Sequence, residues 1–137
     1  MTVHVTAWHG SIPFVARNSI WHRHSHESGV LAEMAAEVLL RWKGYSILER
    51  RFKTSAGEID LVARRGGRVA FVEVKRRRTI DEALDSLTPR LRRRVRQAAE
   101  LWLQRHDEYG RLDIAFDVVL LTPETWPVHM MDAFPFE

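Results

Sequence analysis

Cysteine is absent from the 137 residues, and no apolar run approaches the length of a membrane span. The lack of cysteine excludes disulfides and thiolate metal ligands, so nothing in the composition argues for export. The lack of a run of about 20 apolar residues excludes a helix that crosses a bilayer. The N-terminus also has no continuous apolar stretch of the kind found in signal peptides. We therefore expect a protein of the cytoplasm with no membrane partner.

Internal repeats, low-complexity tracts and domain linkers are missing as well. Hydrophobic residues make up 45% of the chain and charged residues 28%, a balance typical of an ordinary soluble domain. A chain of this length holds one compact core and hardly two. We expect a single α/β domain over residues 28–137, preceded by a flexible extension over residues 1–27. A transition-metal site in that extension is the alternative that its histidines leave open, at His22, His24 and His26.

Lysine is scarce, with 3 residues against 18 arginines, and the basic charge is concentrated in one part of the chain. Residues 41–96 hold 17 basic and 7 acidic residues, whereas the remainder holds 4 basic and 11 acidic ones. The planar fork of arginine suits phosphate oxygens. A solvated basic face is the alternative to a nucleic-acid site. The arginines expected to bind nucleic acid are Arg76, Arg77, Arg90, Arg92, Arg93, Arg94 and Arg96.

Residues 57–75 predict a two-stranded ribbon that carries several charged side chains. Polar and apolar positions alternate on both sides of Gly66-Gly67, a pair able to take the positive φ angles of a two-residue turn. Such a turn pairs Asp60 with Glu73 and Glu58 with Lys75. The period of two then puts these four side chains on one face. The opposite face is expected to be apolar, with Ile59, Leu61, Ala63, Val72 and Val74.

Two carboxylates directly opposed across such a ribbon lie roughly 5 Å apart and repel each other unless a cation offsets their charge. Val62, Val69 and Phe71 continue the charged face as hydrophobic residues, so both faces are partly buried. Half-buried carboxylates are costly without a metal ion or a cationic partner. The ribbon therefore predicts a divalent cation at Asp60 and Glu73. The alternative is a solvated, partly salt-bridged outer face.

The order Asp60, then Glu73-Val74-Lys75, resembles the PD-(D/E)XK nuclease superfamily. The longer strings GEIDLVAR and FVEVKRR resemble the YraN-like family of uncharacterised bacterial proteins, which are regarded as similar to archaeal Holliday junction resolvases. The resemblance runs from about Gly29 to Phe134. It implies a three-layer α/β/α sandwich with a mixed central sheet and a restriction-endonuclease-like core.

The resemblance also implies an activity, which is hydrolysis of phosphodiester bonds in DNA with Mg²⁺ or Mn²⁺ as the cofactor. Branched or recombination intermediates are the substrates that it suggests, and it leaves a homodimer open. Carried over to this sequence, Asp60 and Glu73 would be metal ligands and Lys75 would stand beside the attacking water. Glu33 would be a third acidic group near the metal, with a solvated glutamate as the alternative. Glu58 and Gln97 are uncertain members of the site. A nucleic-acid-binding module that keeps the fold without cleaving is the other function left open.

Periodicity predicts the elements around the ribbon. Apolar residues at helical spacing indicate a helix over residues 29–43, and Gly44 stands where its C-terminus would be. A second helix is expected to begin with Thr88 as N-cap and Pro89 in the first position, and to end near residue 105. Residues 79–87 indicate a loop or a short helical turn, and Asp117 is expected to cap or pair locally. Further strands are expected at 45–53, at 114–121 and, as a short edge strand, at 128–131. This order is typical of an α/β protein with a mixed sheet.

Overall fold

The computed structural model describes the backbone of residues 4–7 and 25–135 and the side chains of residues 29–135. Along the chain the elements are β1 (His4–Ala7), α1 (Ser25–Trp42), β2 (Ser46–Lys53), β3 (Glu58–Arg65), β4 (Arg68–Arg76), α2 (Ile80–Asp85), α3 (Pro89–Arg105), a 3-10 helix (Asp107–Tyr109), β5 (Asp113–Leu121) and β6 (Val128–Phe134). The strands form one six-stranded sheet in the order β1-β6-β5-β4-β3-β2. Strands β4 and β5 run parallel, and the other neighbouring strands run antiparallel. The predicted α/β class with a mixed sheet is therefore confirmed.

The hairpin of β3 and β4 turns where the sequence predicts it. Gly66 adopts a φ of +57°, and Arg65 pairs with Arg68 across the two-residue turn. The paired residues continue in the same register as far as Leu61 opposite Val72. The predicted register is confirmed over this stretch. The predicted pairs of Asp60 with Glu73 and of Glu58 with Lys75 do not form, because the two strands separate beyond Leu61 and Val72, and Glu58 pairs only with Lys53 of β2.

Local signals also determine where the long helices begin and end. Gly44, with a φ of +93°, follows α1, and its N–H donates to the carbonyl of Arg41 at 3.0 Å. The N–H of Tyr45 donates to the carbonyl of Leu40 at 3.0 Å, which completes the usual glycine C-cap. At the start of α3, the Thr88 hydroxyl accepts from the N–H of Leu91 at 3.2 Å. Residues 80–85, expected as a loop or a helical turn, form the short helix α2.

The apolar residues of β4 divide between two buried clusters. Phe71 packs with Trp102 of α3, whereas its neighbour Val72 packs with Leu39 of α1. Successive side chains of a strand point to opposite faces, so β4 is buried on both. The two long helices therefore pack against opposite faces of β4, the strand that carries Glu73.

The alternation of faces fails in β3 at Asp60. Ile59 packs in the cluster that contains Trp102, whereas Leu61 packs in the cluster that contains Leu39. The expectation that Ile59 and Leu61 share one face is wrong, because the period of two is interrupted between them.

Strand β6 is longer than expected, and its predicted position at the edge is wrong. Residues His4–Ala7 pair with it on its outer side, so the edges of the described sheet are β1 and β2. The remainder of the predicted extension before Ser25, including His22 and His24, lies outside the described residues, and its flexibility stays a prediction. Among the helices that the structure describes, none is long and apolar enough to cross a membrane.

Candidate functional site

Asp60 lies where strand β3 parts from β4. The paired residues of the two strands end at Leu61 opposite Val72, and the backbone N–H of Val74 on β4 lies two residues beyond that point. The Oδ2 of Asp60 accepts this N–H at 2.7 Å. A side-chain carboxylate thus bonds to β4 where the ladder stops, and it is held beside the segment that carries Glu73.

Glu73 and Lys75 form an ion pair on the same strand. The Nζ of Lys75 lies 3.2 Å from Oε1 of Glu73, and the side chains of Lys75 and Glu73 are 14% and 11% exposed. Residues two apart in a strand share a face, so β4 holds the ammonium and the carboxylate together. Water is largely excluded from the pair, and its electrostatic interaction is correspondingly stronger than on an open surface.

Burial and mutual repulsion make this acidic cluster reluctant to ionise. Burial raises the pKa of Asp60 to about 8, with the negative charge of Glu73 acting in the same direction and the bond from Val74 opposing both. Burial also raises the pKa of Glu73, against the lowering effect of Lys75. Without a metal ion, Asp60 therefore keeps a proton at neutral pH. A divalent cation would replace that proton and offset the repulsion.

Glu33 of α1 contributes negative charge to the same site. It raises the pKa of both Asp60 and Glu73, although burial has the larger effect on each. Its own Oε2 accepts a hydrogen bond from Nε of Arg51 on β2 at 2.7 Å. A cavity of about 240 Å³ opens beside these residues, and its lining includes Glu33, Arg51, Lys53, Glu58 and Asp60.

The donor chemistry of Asp60 and Glu73 fits a hard divalent cation, because both offer carboxylate oxygens whose ionisation a metal would favour. Within residues 29–135, however, no three His, Asp or Glu side chains are grouped closely enough to hold a metal ion as they stand. Glu33 is the acidic residue that would complete such a group with Asp60 and Glu73, but its carboxylate forms an ion pair with Arg51. The predicted ligands are thus brought into one region, with the third held by an arginine.

Glu58 and Gly57 connect this site to helix α3. Glu58 is exposed, lines the cavity and raises the pKa of Glu73, after the larger effects of burial and Lys75. The buried Gly57 packs directly on the backbone of Arg94, and a Cβ at this position would collide with the carbonyl of Arg94. The loop between β2 and β3 therefore lies directly on the arginine-rich half of α3, close to the Glu58 end of the site.

The predicted nucleic-acid-binding arginines differ in their availability. On α3, Arg90, Arg93 and Arg94 are exposed, as is Gln97, whereas Arg92 and Arg96 are half-buried. Arg92 donates from Nε to the carbonyl of Leu87 at 3.0 Å, which ties it to the protein backbone.

Two further arginines follow Lys75 directly. Arg76 and Arg77 are half-buried at the end of β4, and Arg77 donates from Nη1 to the carbonyl of Arg76 at 2.8 Å. Their position at the Lys75 end of β4 puts positive charge next to the acidic cluster.

A second polar cluster, which sequence reasoning missed, surrounds Asp117 of β5. Arg68, at the opposite end of β4 from Lys75, donates from its two Nη atoms to the two carboxylate oxygens of Asp117 at 2.7 Å each. Nε2 of His129 lies 2.7 Å from Oδ2 of Asp117, and Nδ1 of His129 lies 2.6 Å from Nζ of Lys43. The lysine can only donate, so the ring proton sits on Nε2 and is donated to Asp117.

The environment of Asp117 favours its charged form. Burial alone would raise its pKa, but the hydrogen bonds from His129 and Arg68 outweigh burial and lower the pKa to about 2. Burial lowers the pKa of His129, so the ring is neutral. The sequence predicts that Asp117 caps or pairs locally, yet its arginine partner lies 49 residues away in the chain. No local pattern signals this pairing, because it depends on which strands become neighbours.

Comparison of the sequence with known proteins finds a family that it matches. Residues 32–121, which include Glu33, Asp60, Glu73 and Lys75, match the profile described as uncharacterised protein family UPF0102. A UPF0102 protein of Mesorhizobium japonicum is 46% identical over 118 residues, which cover 86% of this chain and 94% of that protein. A UPF0102 protein of Rhodopseudomonas palustris is 50% identical over 107 residues, covering 78% and 82% of the two chains. One of a Bradyrhizobium species is 48% identical over 107 residues, covering 78% and 76%.

Proposed function

The chain belongs to the uncharacterised protein family UPF0102, and from the geometry of its acidic site we propose that it is a metal-dependent endonuclease acting on DNA. The observation that carries the proposal is the concentration of Asp60, Glu73 and Lys75 at the point where β3 leaves β4. Two largely buried carboxylates and an ammonium in one place are costly to a fold. The bond from Val74 to Asp60 and the pair of Glu73 with Lys75 do not offset this cost in full, since the pKa of both carboxyl groups stays raised. Perturbed acidic groups beside a cavity are characteristic of functional sites.

Asp60 and Glu73 would hold Mg²⁺ or Mn²⁺, and Glu33 would join them once its contact with Arg51 is exchanged. The bound ion would acidify a water molecule and neutralise charge on the scissile phosphate. Lys75 donates hydrogen bonds from a position 3.2 Å from Glu73, so it can orient the attacking water and stabilise the negative charge that develops on it. Lys75 would thus act on the nucleophile rather than on the metal.

The basic residues around the site would bind the DNA backbone. An acidic cluster repels phosphates, so a phosphodiester reaches it only if nearby cations outweigh the carboxylates. Gly57, next to Glu58, packs on the backbone of Arg94, so the exposed arginines in the first half of α3 lie near the Glu58 end of the site. At the other end, Arg76 and Arg77 follow Lys75 in the chain. Contacts of this kind go to phosphates and carry little sequence information. We therefore propose that the substrate is selected by DNA shape, with branched or recombination intermediates as the class.

The sheet with long helices packed in its two clusters is compatible with a three-layer α/β/α sandwich of the restriction-endonuclease type, and we include that architecture in the proposal.

A DNA-binding module that does not cleave is the second candidate. One observation favours it, which is the ion pair that holds Glu33 on Arg51 and leaves the acidic group incomplete.

The two candidates are separated by incubating the purified protein with branched, flapped, nicked, single-stranded and duplex DNA. Each substrate is tested with Mg²⁺, with Mn²⁺ and with a chelator. We expect metal-dependent cleavage by the wild type and its loss in Asp60→Asn. Asp85→Asn, which changes an exposed acidic residue of α2, is the matched control and should cleave as the wild type does. Tight DNA binding with no cleavage of any substrate would support the binding module instead, and cleavage that survives in Asp60→Asn would mean that this site is not the active site.

A further inference from the structure

Arg51 has an unusual backbone conformation for an arginine in a strand. Its φ is +50°, in the left-handed region that side chains with a Cβ disfavour. Residues kept in this region against their preference tend to cluster at functional sites, where the surrounding structure maintains them. Arg51 lies on β2, the edge strand next to β3.

The positive φ redirects the Arg51 side chain. Consecutive side chains of a regular strand point to opposite faces. Arg50 and Arg51 nevertheless both reach helix α1, where Nη2 of Arg50 lies 2.6 Å from Oε1 of Glu37 and Nε of Arg51 lies 2.7 Å from Oε2 of Glu33. The two glutamates are one helical turn apart. Because of the positive φ at Arg51, each glutamate forms an ion pair with one of the two arginines.

Strand β3 changes face at the same level as β2. Arg50 is paired with Leu61 of the α1 cluster, and Phe52 is paired with Ile59 of the α3 cluster. In both strands, residues two apart thus point to opposite faces of the sheet instead of to the same face. The residues between them, where the alternation breaks, are Arg51 in β2 and Asp60 in β3. The same irregularity that frees Asp60 to bond to β4 thus turns Arg51 toward Glu33.

Arg51 is also placed where a ligand of the acidic site would meet it. Together with Glu33 and Asp60, it lines the cavity of about 240 Å³ and a neighbouring one of about 150 Å³. Its side chain is 43% exposed and its contact with Glu33 uses Nε, so the contact is open to competition by a better partner. A phosphodiester offers that partner, because guanidinium binds phosphate oxygens in a two-pronged manner.

We propose that Arg51 is an exchangeable counter-ion that keeps Glu33 from a divalent cation in the free protein and moves to a DNA phosphate when substrate binds. This role rests on the proposed nuclease function and adds a regulation of the same site. Glu33 becomes available to the metal only when DNA has drawn the guanidinium away. The acidic site is then completed in the presence of substrate and stays incomplete in its absence.

Thermodynamic linkage turns this exchange into a measurable coupling. If DNA binding releases Glu33, DNA must raise the affinity for the divalent cation, and the cation must raise the affinity for DNA by the same factor. Removing the arginine should abolish the coupling from both directions. It should also give the DNA-free protein the tighter cation binding that the wild type shows only with DNA.

The test is Mn²⁺ binding to the full chain, followed by isothermal titration calorimetry, with and without a branched DNA made resistant to cleavage by phosphorothioate linkages. Arg51→Asn removes the charge with a residue that tolerates positive φ. Arg50→Asn is the matched control, since Arg50 makes the equivalent contact with Glu37 one turn along α1. In the wild type and in Arg50→Asn, we expect DNA to tighten Mn²⁺ binding about 5-fold or more, the lower end of ordinary allosteric coupling. In Arg51→Asn, we expect tight Mn²⁺ binding without DNA and no further gain with it.

The outcomes separate this inference from the function on which it rests. A wild type that binds Mn²⁺ and cleaves DNA while Arg51→Asn keeps the same coupling would overturn the counter-ion role and leave the nuclease intact. Equal effects of Arg51→Asn and Arg50→Asn would also overturn it, because a general charge effect would explain both. A wild type that binds no Mn²⁺ with or without DNA would overturn the inference and the nuclease together. If Arg51→Asn does not fold, Arg51→Gly carries the same expectation, since glycine adopts positive φ freely.

Discussion

The carboxylate of Asp60 accepts the backbone N–H of Val74 at 2.7 Å, at the step where β3 leaves β4. The backbone of β4 therefore determines the position of the Asp60 side chain, and the same strand carries Glu73 and Lys75. Three ionisable groups are brought together, and each of them stands on a strand. Sites built on strands are held more rigidly than sites on loops, which suits a role in positioning a metal and a water molecule.

Asp60→Asn should stabilise the protein in chelator at alkaline pH. Burial raises the pKa of Asp60 from 3.8 to about 8, so between these values the folded state holds a proton that the unfolded state has released. Stability attributable to this proton is present below about pH 4 and is lost as the pH rises through 8. Asparagine keeps the shape without the charge, and we expect a gain of several kcal/mol at pH 8, at most about 6, that shrinks toward zero near pH 4. Urea unfolding of both proteins at pH 4, 6 and 8 measures this, and equal pH profiles would show that Asp60 is not held in its neutral form.

The wild type should lose stability on acidification through the range in which histidine titrates. Burial lowers the pKa of His129 below 6.5, so as the pH falls the unfolded state takes up a proton that the folded state resists. The contribution of the neutral ring is complete above pH 6.5 and declines below it. His129→Gln, which offers an uncharged amide in the same network, should flatten this decline. Thermal melts between pH 7.5 and 5 provide the comparison, and parallel profiles would contradict the neutral assignment.

Asp117→Asn should destabilise the fold because it leaves Arg68 with only the exposed Asp132, 3.3 Å away, as a charged partner. The side chain of Asp117 is fully buried and that of Arg68 is 16% exposed, so solvent cannot replace the lost pairing. Breaking a buried ion pair from one side costs about 3 kcal/mol or more. Asp113→Asn, an exposed position on the same strand, is the control and should change stability by less than about 0.5 kcal/mol. Similar effects of both changes in urea unfolding would show that the cluster around Asp117 contributes little.

DNA binding should weaken steeply with salt, and the exposed arginines of α3 should account for part of that dependence. Log affinity falls with log salt by a slope of about −0.9 for each phosphate neutralised in duplex DNA. Changing three exposed arginines in the first half of α3 should make the slope less negative by up to about three such steps. A matched triple change of exposed arginines elsewhere should leave it unaltered. The α3 variant changes Arg90, Arg93 and Arg94 to alanine. The control variant changes Arg41, Arg64 and Arg111 to alanine. An unaltered slope in the α3 variant would place the DNA on another surface.

Lys75→Ala should separate cleavage from metal binding. The ammonium pairs with Glu73 but offers no electron pair to a cation, so Mn²⁺ affinity should be retained or increased. The rate of cleavage should fall on the order of 10²-fold, as it does when a donor to a developing negative charge is removed. Arg78→Ala, an exposed cationic position three residues further on, should cleave at the wild-type rate. Single-turnover rates at saturating DNA test this, and undiminished cleavage by Lys75→Ala would remove the lysine from the mechanism.

Part of this structure follows from local rules that act over a few residues. The Gly66-Gly67 turn determines the register of β3 and β4, because a two-residue loop leaves one pairing that alternation permits. Thr88 and Pro89 determine the start of α3, and Gly44 determines the end of α1. Each signal needs only its immediate neighbours, so the sequence is sufficient to predict it. The register also puts Glu73 and Lys75 on one face of β4, whereas Asp60 lies beyond the last pair of the two strands and is positioned by its bond from Val74.

Other features depend on which distant segments become neighbours. Glu33 can pair with Arg51 only if α1 packs against the sheet with Glu33 next to that residue of β2. Arg68 can pair with Asp117 only if β5 lies beside β4. Strand alternation predicts opposite directions for Arg50 and Arg51, and only the positive φ of Arg51 reverses this. That backbone angle is unfavourable for an isolated arginine, so no local preference could have revealed it. The sequence by itself determined the hairpin, its register and the helix ends, whereas the tertiary structure decided which charges neutralise one another, because ion pairs between distant segments form only after packing has brought those segments together.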